Sequence, residues 1–160
     1  MNLAEFNIGT LKYNWDDPRV ADFVKGLERV NGIARRSPGF VWMMHGDAME
    51  ATHQDSTGPL GGNARIASTL SVWEDATALE HFVWNTLHKQ FYDRKTEWFG
   101  PHQGPRLVMW WVPADHRPGI AEAVERLRCL ERDGDSDYAF GWSYLKEAAQ
   151  QRQKQRGNAA

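Results

Sequence analysis

Histidine and aromatic side chains are concentrated in the segment between residues 73 and 99. If this segment is helical, each residue advances by about 100° around the axis, and four of these side chains share one face. They are His81, Trp84, His88 and Tyr92. Because an imidazole has an unperturbed pKa of about 6.5, a histidine on this face can exchange protons at neutral pH.

The same helix has a second, apolar face, whereas a surface helix with one buried face is polar on the other side. The apolar stripe consists of Leu79, Phe82, Val83, Thr86 and Leu87. Two explanations remain open. The helix is interrupted near residues 85–87, or the face with the histidines meets a cavity or another subunit.

The residue types predict an aromatic-walled pocket with a few polar groups, which is typical of a small-molecule site. Its predicted lining is Asn7, His45, Ser71, Trp73, His81, Trp84, His88 and Tyr92. We assign His88 as general base or acid, and Tyr92 or Asn7 as the group that holds a developing oxyanion. The other five residues are assigned to substrate binding, with Trp73 and Trp84 stacking on a flat molecule. For each tryptophan alone, core or interface packing is the competing explanation.

Metal binding and nucleophilic catalysis are not predicted. His81 and His88 are about 10 Å apart along a helix, whereas two ligands of one zinc ion each lie about 2 Å from it. Ser71 is not in a Gly-x-Ser-x-Gly turn, and Cys129 has no basic neighbour in an amphipathic helix. No cofactor is therefore predicted from these residues, and solvated or hydrogen-bonded histidines remain the simpler interpretation.

Composition indicates one globular domain of 160 residues with an unusual eight tryptophans. A net charge of −2 provides no basic field for nucleic acid. The single Cys129 excludes an internal disulfide, the N-terminus does not have the pattern of a signal peptide, and no apolar run approaches the roughly 20 residues of a membrane span. These features predict a cytoplasmic protein with neither nucleic acid nor membrane as partner.

Hydrophobic periodicity predicts four strands and three helices. The strands are residues 4–13, 40–45, 66–73 and 107–112, and the helices are residues 17–36, the segment from 76 and the segment from 120 to about 134. In the first strand, Ala4, Phe6 and Ile8 alternate with Glu5, Asn7 and Gly9.

Three other segments have weaker patterns, of which residues 135–145 carry Tyr138, Phe140, Trp142 and Tyr144 at alternate positions. Residues 46–64 are predicted to form a long loop, acting as a lid or a binding loop or being disordered. Residues 135–145 are predicted to form a short strand or an extended arm. The polar residues 146–160 are predicted to be a frayed helix or, preferably, a disordered tail, which divides the chain into a domain of residues 1–145 and a tail.

This order of elements predicts an α+β, ferredoxin-like fold, in which both helices cover one face of an antiparallel sheet. The second face is then expected to carry Asn7, His45, Thr69, Ser71 and Trp73 beside apolar groups. Such a face favours a homodimer whose two sheets pack against each other as a dimeric α+β barrel.

Several short motifs resemble known families. Asn7, Ser71-Val72-Trp73-Glu74 and a helix with Ala78-Leu79 and Phe82 are similar to the antibiotic-biosynthesis-monooxygenase-like, dimeric α+β barrel superfamily, over about residues 3–112. Further motifs resemble a bacterial domain-of-unknown-function family numbered 3291, over most of the chain to Leu145. These are Asp16-Asp17-Pro18-Arg19, Ser37-Pro38-Gly39-Phe40, Glu80-His81-Phe82-Val83-Trp84, Glu97-Trp98-Phe99 and Trp110-Trp111-Val112-Pro113.

The superfamily resemblance implies several activities, because its members include cofactor-free and haem-dependent enzymes. Our first hypothesis is a small-molecule enzyme resembling cofactor-independent monooxygenases or cyclases, acting on an aromatic or polyketide-like compound by His-mediated proton transfer. The alternatives are a non-catalytic protein that binds a hydrophobic ligand or haem, and a dimerisation module. Some haem-dependent relatives use an Asn on the first strand, a Trp and a helix His. Asn7 matches the Asn. Phe82 or Trp84 stands near the position of the Trp, and His88 or Tyr92 stands near that of the His.

Overall fold

A computed structural model describes residues 1–158 of the chain. Its centre is an open, four-stranded antiparallel sheet in the order β2-β3-β1-β4. The strands are β1 (Asn2–Thr10), β2 (Phe40–Met43), β3 (Ile66–Trp73) and β4 (Leu107–Val112). The protein is therefore of the α+β class, as predicted.

Seven α-helices of the described chain surround the sheet: α1 (Ala21–Arg36), α2 (Gly46–Gln54), α3 (Ala76–Asn85), α4 (Leu87–Asp93), α5 (Lys95–Trp98), α6 (Ile120–Asp133) and α7 (Trp142–Asn158). A short 3₁₀ turn at Pro18–Val20 leads into α1, and the Asp17 carboxylate accepts a hydrogen bond from the Arg19 amide at 2.9 Å. No helix within residues 1–158 is both long and apolar enough to cross a membrane.

The strand register assigns side chains to two sheet faces, because successive residues point to opposite sides and directly paired residues share a side. Glu5 is paired with Ser71 and Met109, and Asn7 with Thr69. We call the side with these residues the first face. The second face consists of the alternate residues, which include Ala4, Phe6, Leu70, Val72, Val108 and Trp110.

Helices α1 and α3 cover the first face. Val30 and Ala34 from α1 and Leu79, Phe82 and Val83 from α3 form one buried cluster with Leu3, Trp73 and Met109. The prediction that Asn7, Ser71 and Trp73 lie on a face without helices is therefore wrong. Alternation along a strand identifies which residues share a side, but it does not reveal which side the helices pack on.

The second face is covered by α6, with Met49 of α2 in the same cluster. Ile120, Ala123 and Val124 of α6 pack against the sheet, and the Trp110 indole donates to the Glu122 carboxylate at 2.9 Å. Phe6, Val72 and Trp110 are fully buried. The predicted uncovered apolar face does not exist in this structure, because the same chain supplies its cover.

A break between α3 and α4 confirms one of the two explanations for the two-faced segment. The backbone of Thr86 is extended, which ends α3. The Thr86 hydroxyl then accepts a hydrogen bond from the His88 amide at 3.2 Å and caps α4. The histidine and aromatic residues after the break consequently point in a new direction.

Three segments differ from the predicted elements. The predicted loop of residues 46–64 begins with α2, which His45 caps. Residues 135–145 form no regular strand: Phe140 makes an isolated bridge to Met109, and α7 starts at Trp142. Residues 146–158 belong to α7, which runs from Trp142 to Asn158, and the division into a domain of residues 1–145 and a tail stays a prediction. Residues 159 and 160 of the predicted tail lie outside the described range.

Candidate functional site

A cavity of about 1130 Å³ lies between the first face of the sheet and the helices that cover it, and it extends to residues of the second face and of α2, namely Ile8, Ser68 and His53. Its floor carries polar side chains of β1 and β3, and its roof is formed by α1, α3 and α4. Most of the wall is apolar and aromatic. Six of the predicted site residues line this cavity: Asn7, Ser71, Trp73, Trp84, His88 and Tyr92.

A hydrogen-bond network on the floor is centred on Glu5. One carboxylate oxygen, Oε1, accepts from Asn7 Nδ2 at 2.7 Å, and the other, Oε2, accepts from the Ser71 hydroxyl at 3.0 Å. Ser71 Oγ in turn accepts from the indole Nε1 of Trp73 at 2.9 Å. Both carboxylate oxygens are therefore held in fixed positions at the centre of the sheet.

The burial of Glu5 changes its acidity. Loss of water raises the pKa of the carboxyl from 4.5 to about 7, although hydrogen bonds from Asn7 and Ser71 favour the charged form and oppose part of the shift. The side chain is only 5% exposed. At neutral pH, Glu5 is thus divided between a form that can give a proton and one that can accept it.

His88 lines the roof of the cavity. Its Nδ1 lies 3.3 Å from the carbonyl oxygen of Val83, and since a carbonyl only accepts, Nδ1 carries the hydrogen. Within residues 1–158 no hydrogen-bond partner is found for Nε2, which is the acceptor in this tautomer. Burial lowers the pKa of His88, and the bond to Val83 opposes that effect. The ring is consequently neutral at pH 7.

Aromatic contacts connect the floor with the roof. Trp73 is fully buried and stacks on Phe82 at 5.1 Å, and Phe82 contacts the His88 ring at 5.0 Å. Trp84 and Tyr92 meet edge to face at 5.0 Å. Tyr92 is 39% exposed, so it lies at the rim of the cavity rather than deep inside it.

Two predicted binding residues, His45 and His81, lie outside the cavity. His45 caps α2 by accepting from the Asp47 amide at 3.4 Å, and its side chain is 76% exposed. His81 is exposed on α3, where its ring contacts Asn85 at 3.3 Å. The structure does not bring them to the cavity, because β2 ends at Met43, which leaves His45 as the cap of α2, and because His81 lies on the exposed side of α3.

Glu5 is the principal site residue that sequence reasoning missed. The available signal was a carboxylate in mid-strand, two residues from Asn7 and therefore on the same face. His53 was also missed. It lines the cavity, and its Nε2 lies 2.8 Å from the Ser68 hydroxyl, which also lines the cavity.

The described residues contain no group of three or more His, Cys, Asp or Glu side chains placed to hold a metal ion. The polar chemistry of the cavity rests instead on single groups attached to different elements. Glu5 belongs to the central strand, and His88 belongs to the helix that follows the Thr86 break.

Comparison with known protein families identifies the family of this chain. A family model described as Domain of unknown function (DUF3291) matches residues 2–156. The chain belongs to the DUF3291 family. No curated protein and no solved structure matches this DUF3291 chain. The predicted family is thus confirmed, and because its description names no activity, function has to be argued from the cavity.

Proposed function

We propose that this DUF3291 protein is a small-molecule enzyme that transfers protons on an aromatic or polyketide-like substrate, in the manner of cofactor-independent monooxygenases or cyclases. The observation that carries the proposal is Glu5, a buried carboxyl on the floor of a large apolar cavity with its pKa near 7. Perturbed acids in clefts are typical of functional sites. The strand order β2-β3-β1-β4 supports a ferredoxin-like arrangement, while α6 covers the sheet face that a dimeric barrel would use.

Two titratable groups with opposite pKa shifts define the proposed mechanism. His88 is held neutral, so its Nε2 can take a proton from an acidic C–H or O–H of the substrate. Glu5 retains a proton near neutral pH and can donate it to the oxygen on which negative charge develops. One proton leaves the substrate and one enters it, so the step needs no oxidant.

The neighbours of these groups are assigned positioning roles. Asn7 donates from Nδ2 both to the Glu5 carboxylate and to the Thr69 hydroxyl, the latter at 2.6 Å. Asn7 therefore orients the carboxyl. Ser71 holds the other carboxylate oxygen. Trp84 and Tyr92, at the outer end of α3 and on α4, are proposed to stack against the substrate.

Hydrogen exchange in D₂O tests this proposal without knowledge of the full reaction. Phenolic ketones and β-dicarbonyl compounds with two or more rings serve as probes, and NMR follows loss of the acidic C–H signal. We expect the wild-type protein to accelerate exchange, and Glu5→Gln and His88→Ala each to reduce the acceleration by about 10²-fold or more.

His81→Ala is the matched control, since His81 is an exposed histidine of the adjacent helix and should leave exchange unchanged. Circular dichroism establishes that every variant is folded. Equal exchange rates in wild type and both site variants would overturn the proposal.

Binding of a hydrophobic ligand or haem without catalysis is the second candidate. It is favoured by the unpaired Nε2 of a neutral His88, the form of imidazole that ligates iron, in a cavity with apolar walls. Bound haem would supply redox or oxygen chemistry. A haem titration should then give a Soret band that His88→Ala removes and His81→Ala retains, and no band in wild type would exclude haem as the ligand.

A further inference from the structure

Arg106 is a cavity-lining cation without a carboxylate partner. It immediately precedes β4 and is half-buried, and one guanidinium nitrogen, Nη2, donates to the main-chain oxygen of Gly100 at 2.6 Å. Within residues 1–158, no Asp or Glu oxygen lies within 4.0 Å of it, including the cavity-lining Asp47 and Glu50. Four of the five guanidinium N–H donors therefore have no partner within residues 1–158.

The backbone of Arg106 lies beside the second half of β1. The Ile8 amide donates to the Arg106 carbonyl at 2.9 Å, and Gly100, which accepts from the guanidinium, donates its own amide to the Thr10 carbonyl at 3.0 Å. Three residues separate Glu5 from Ile8 along β1 and five separate it from Thr10, which corresponds to about 10 to 15 Å in an extended strand. The guanidinium and the Glu5 carboxyl therefore stand at different points along this strand.

Aromatic rings line the space near Arg106. Phe23 of α1 packs on Trp98 at 5.5 Å and on Phe99 at 5.2 Å, and all three line the cavity. Trp15 stands beside Phe23 at 5.9 Å. A substrate that reaches from Arg106 towards Glu5 therefore passes along aromatic surface.

We propose that Arg106 is an anchor for an anionic group, such as a carboxylate, on an aromatic substrate whose reacting atom lies at Glu5, about 10 to 15 Å away along β1. A planar guanidinium fork can bind such a group through two parallel hydrogen bonds. This inference rests on the proposed function, because it names the class of molecule that the same cavity accepts: amphiphilic aromatic acids with the anion at one end.

Two fluorescent probes with the same ring skeleton test the anchor. 8-Anilinonaphthalene-1-sulfonate carries an anionic group, and N-phenyl-1-naphthylamine lacks it. We expect wild type to bind the sulfonate about tenfold more tightly or better, as a hydrogen-bonded ion pair provides. Arg106→Met should abolish this preference while the affinity for the neutral probe stays unchanged, and Arg106→Lys should retain part of it.

Arg117→Met is the matched control. Arg117 is an exposed arginine that also donates to main-chain oxygens, those of Ala114 and His116, but it does not line the cavity. Its substitution should affect neither probe. If Arg106→Met does not fold, Arg106→Gln replaces it, because the amide can still donate to Gly100.

The outcomes separate the two proposals. A sulfonate preference that survives loss of Arg106, or no preference in wild type, overturns the anchor. A preference that depends on Arg106, combined with no hydrogen exchange in D₂O, supports the anchor and leaves a binding protein in place of an enzyme. If neither probe binds, the cavity does not accept aromatic molecules and both proposals fail.

Discussion

Burial of Glu5 couples the stability of the fold to pH. The carboxyl has a pKa of about 7 in the folded protein, compared with its ordinary 4.5. Between these values the folded state keeps a proton that the unfolded chain has lost, so stability falls as pH rises. The stability that this bound proton adds to the folded state is fully present below pH 4.5 and is lost as pH rises through about 7. The difference between the two pKa values corresponds to about 3 kcal/mol in the free energy of unfolding.

Glu5→Gln is expected to remove this pH dependence, because an amide of similar shape does not titrate. Urea denaturation at about pH 4 and about pH 8 should show wild type losing about 3 kcal/mol relative to the variant. Glu50→Gln, a change on the exposed side of α2, is the control and should follow wild type. Parallel curves for wild type and Glu5→Gln would show that Glu5 is solvated in the folded protein.

The chemistry of Glu5 could be predicted from sequence only in part. The alternation along β1 correctly put Glu5 and Asn7 on one face, as the pairing with Ser71 and Thr69 shows. The acidity of Glu5 depends on contacts with residues 66 positions away and on a helical layer that excludes water. Neither is contained in a local pattern, so the sequence does not distinguish Glu5 from an ordinary polar residue of a strand.

At the scale of elements, Gly26 determines how closely α1 approaches α4. A Cβ atom built on Gly26 would lie 1.9 Å from Cζ of Phe91, a ring that also lines the cavity. A side chain here would push the two helices apart or force the ring to move. The small residue is therefore required by packing, although glycine is unfavourable inside a helix.

Gly26→Ala is expected to destabilise the protein by about 1 to 3 kcal/mol because of this overlap. Gly32→Ala provides a control in the same helix, since its nearest contact would be 3.5 Å from the Arg36 side chain. That change should stabilise the protein by up to about 1 kcal/mol through helix propensity. Thermal melting of both variants tests this prediction. Equal shifts of the two melting temperatures relative to wild type would refute the packing role of Gly26.

Strong periodicity made most elements predictable, and weak local signals account for those that were missed. The long amphipathic pattern of α1 and the alternation of β3 gave the observed elements to within a few residues. Helix α2 was missed because Gly46 and a polar composition resemble a loop, while its stabilising contact, Met49 against the sheet, is tertiary. The role of α6 was missed for the same reason, because periodicity shows an apolar face but not its partner.

At the scale of the whole molecule, helices cover both faces of the sheet, and this limits how two copies of the chain can form a dimer. Two sheets cannot pack together as a dimeric barrel while α6 occupies the second face. The homodimer stays a prediction, and a second copy would have to bind another surface. Light scattering at micromolar concentration would then report about twice 18.3 kDa, and a mass of 18.3 kDa would remove the prediction.

The central position of β1 also sets the order in which a growing chain can complete its fold. Of the four strands, β1 is synthesised before its partners β3 and β4, so its second edge stays open until residues near 112 have been made. Its apolar side stays uncovered until α6 follows. Nascent chains that stop before α6 therefore expose an unpaired or uncovered sheet, the kind of surface that aggregates. Chains truncated between β4 and α6 should consequently be insoluble when the full-length chain is soluble.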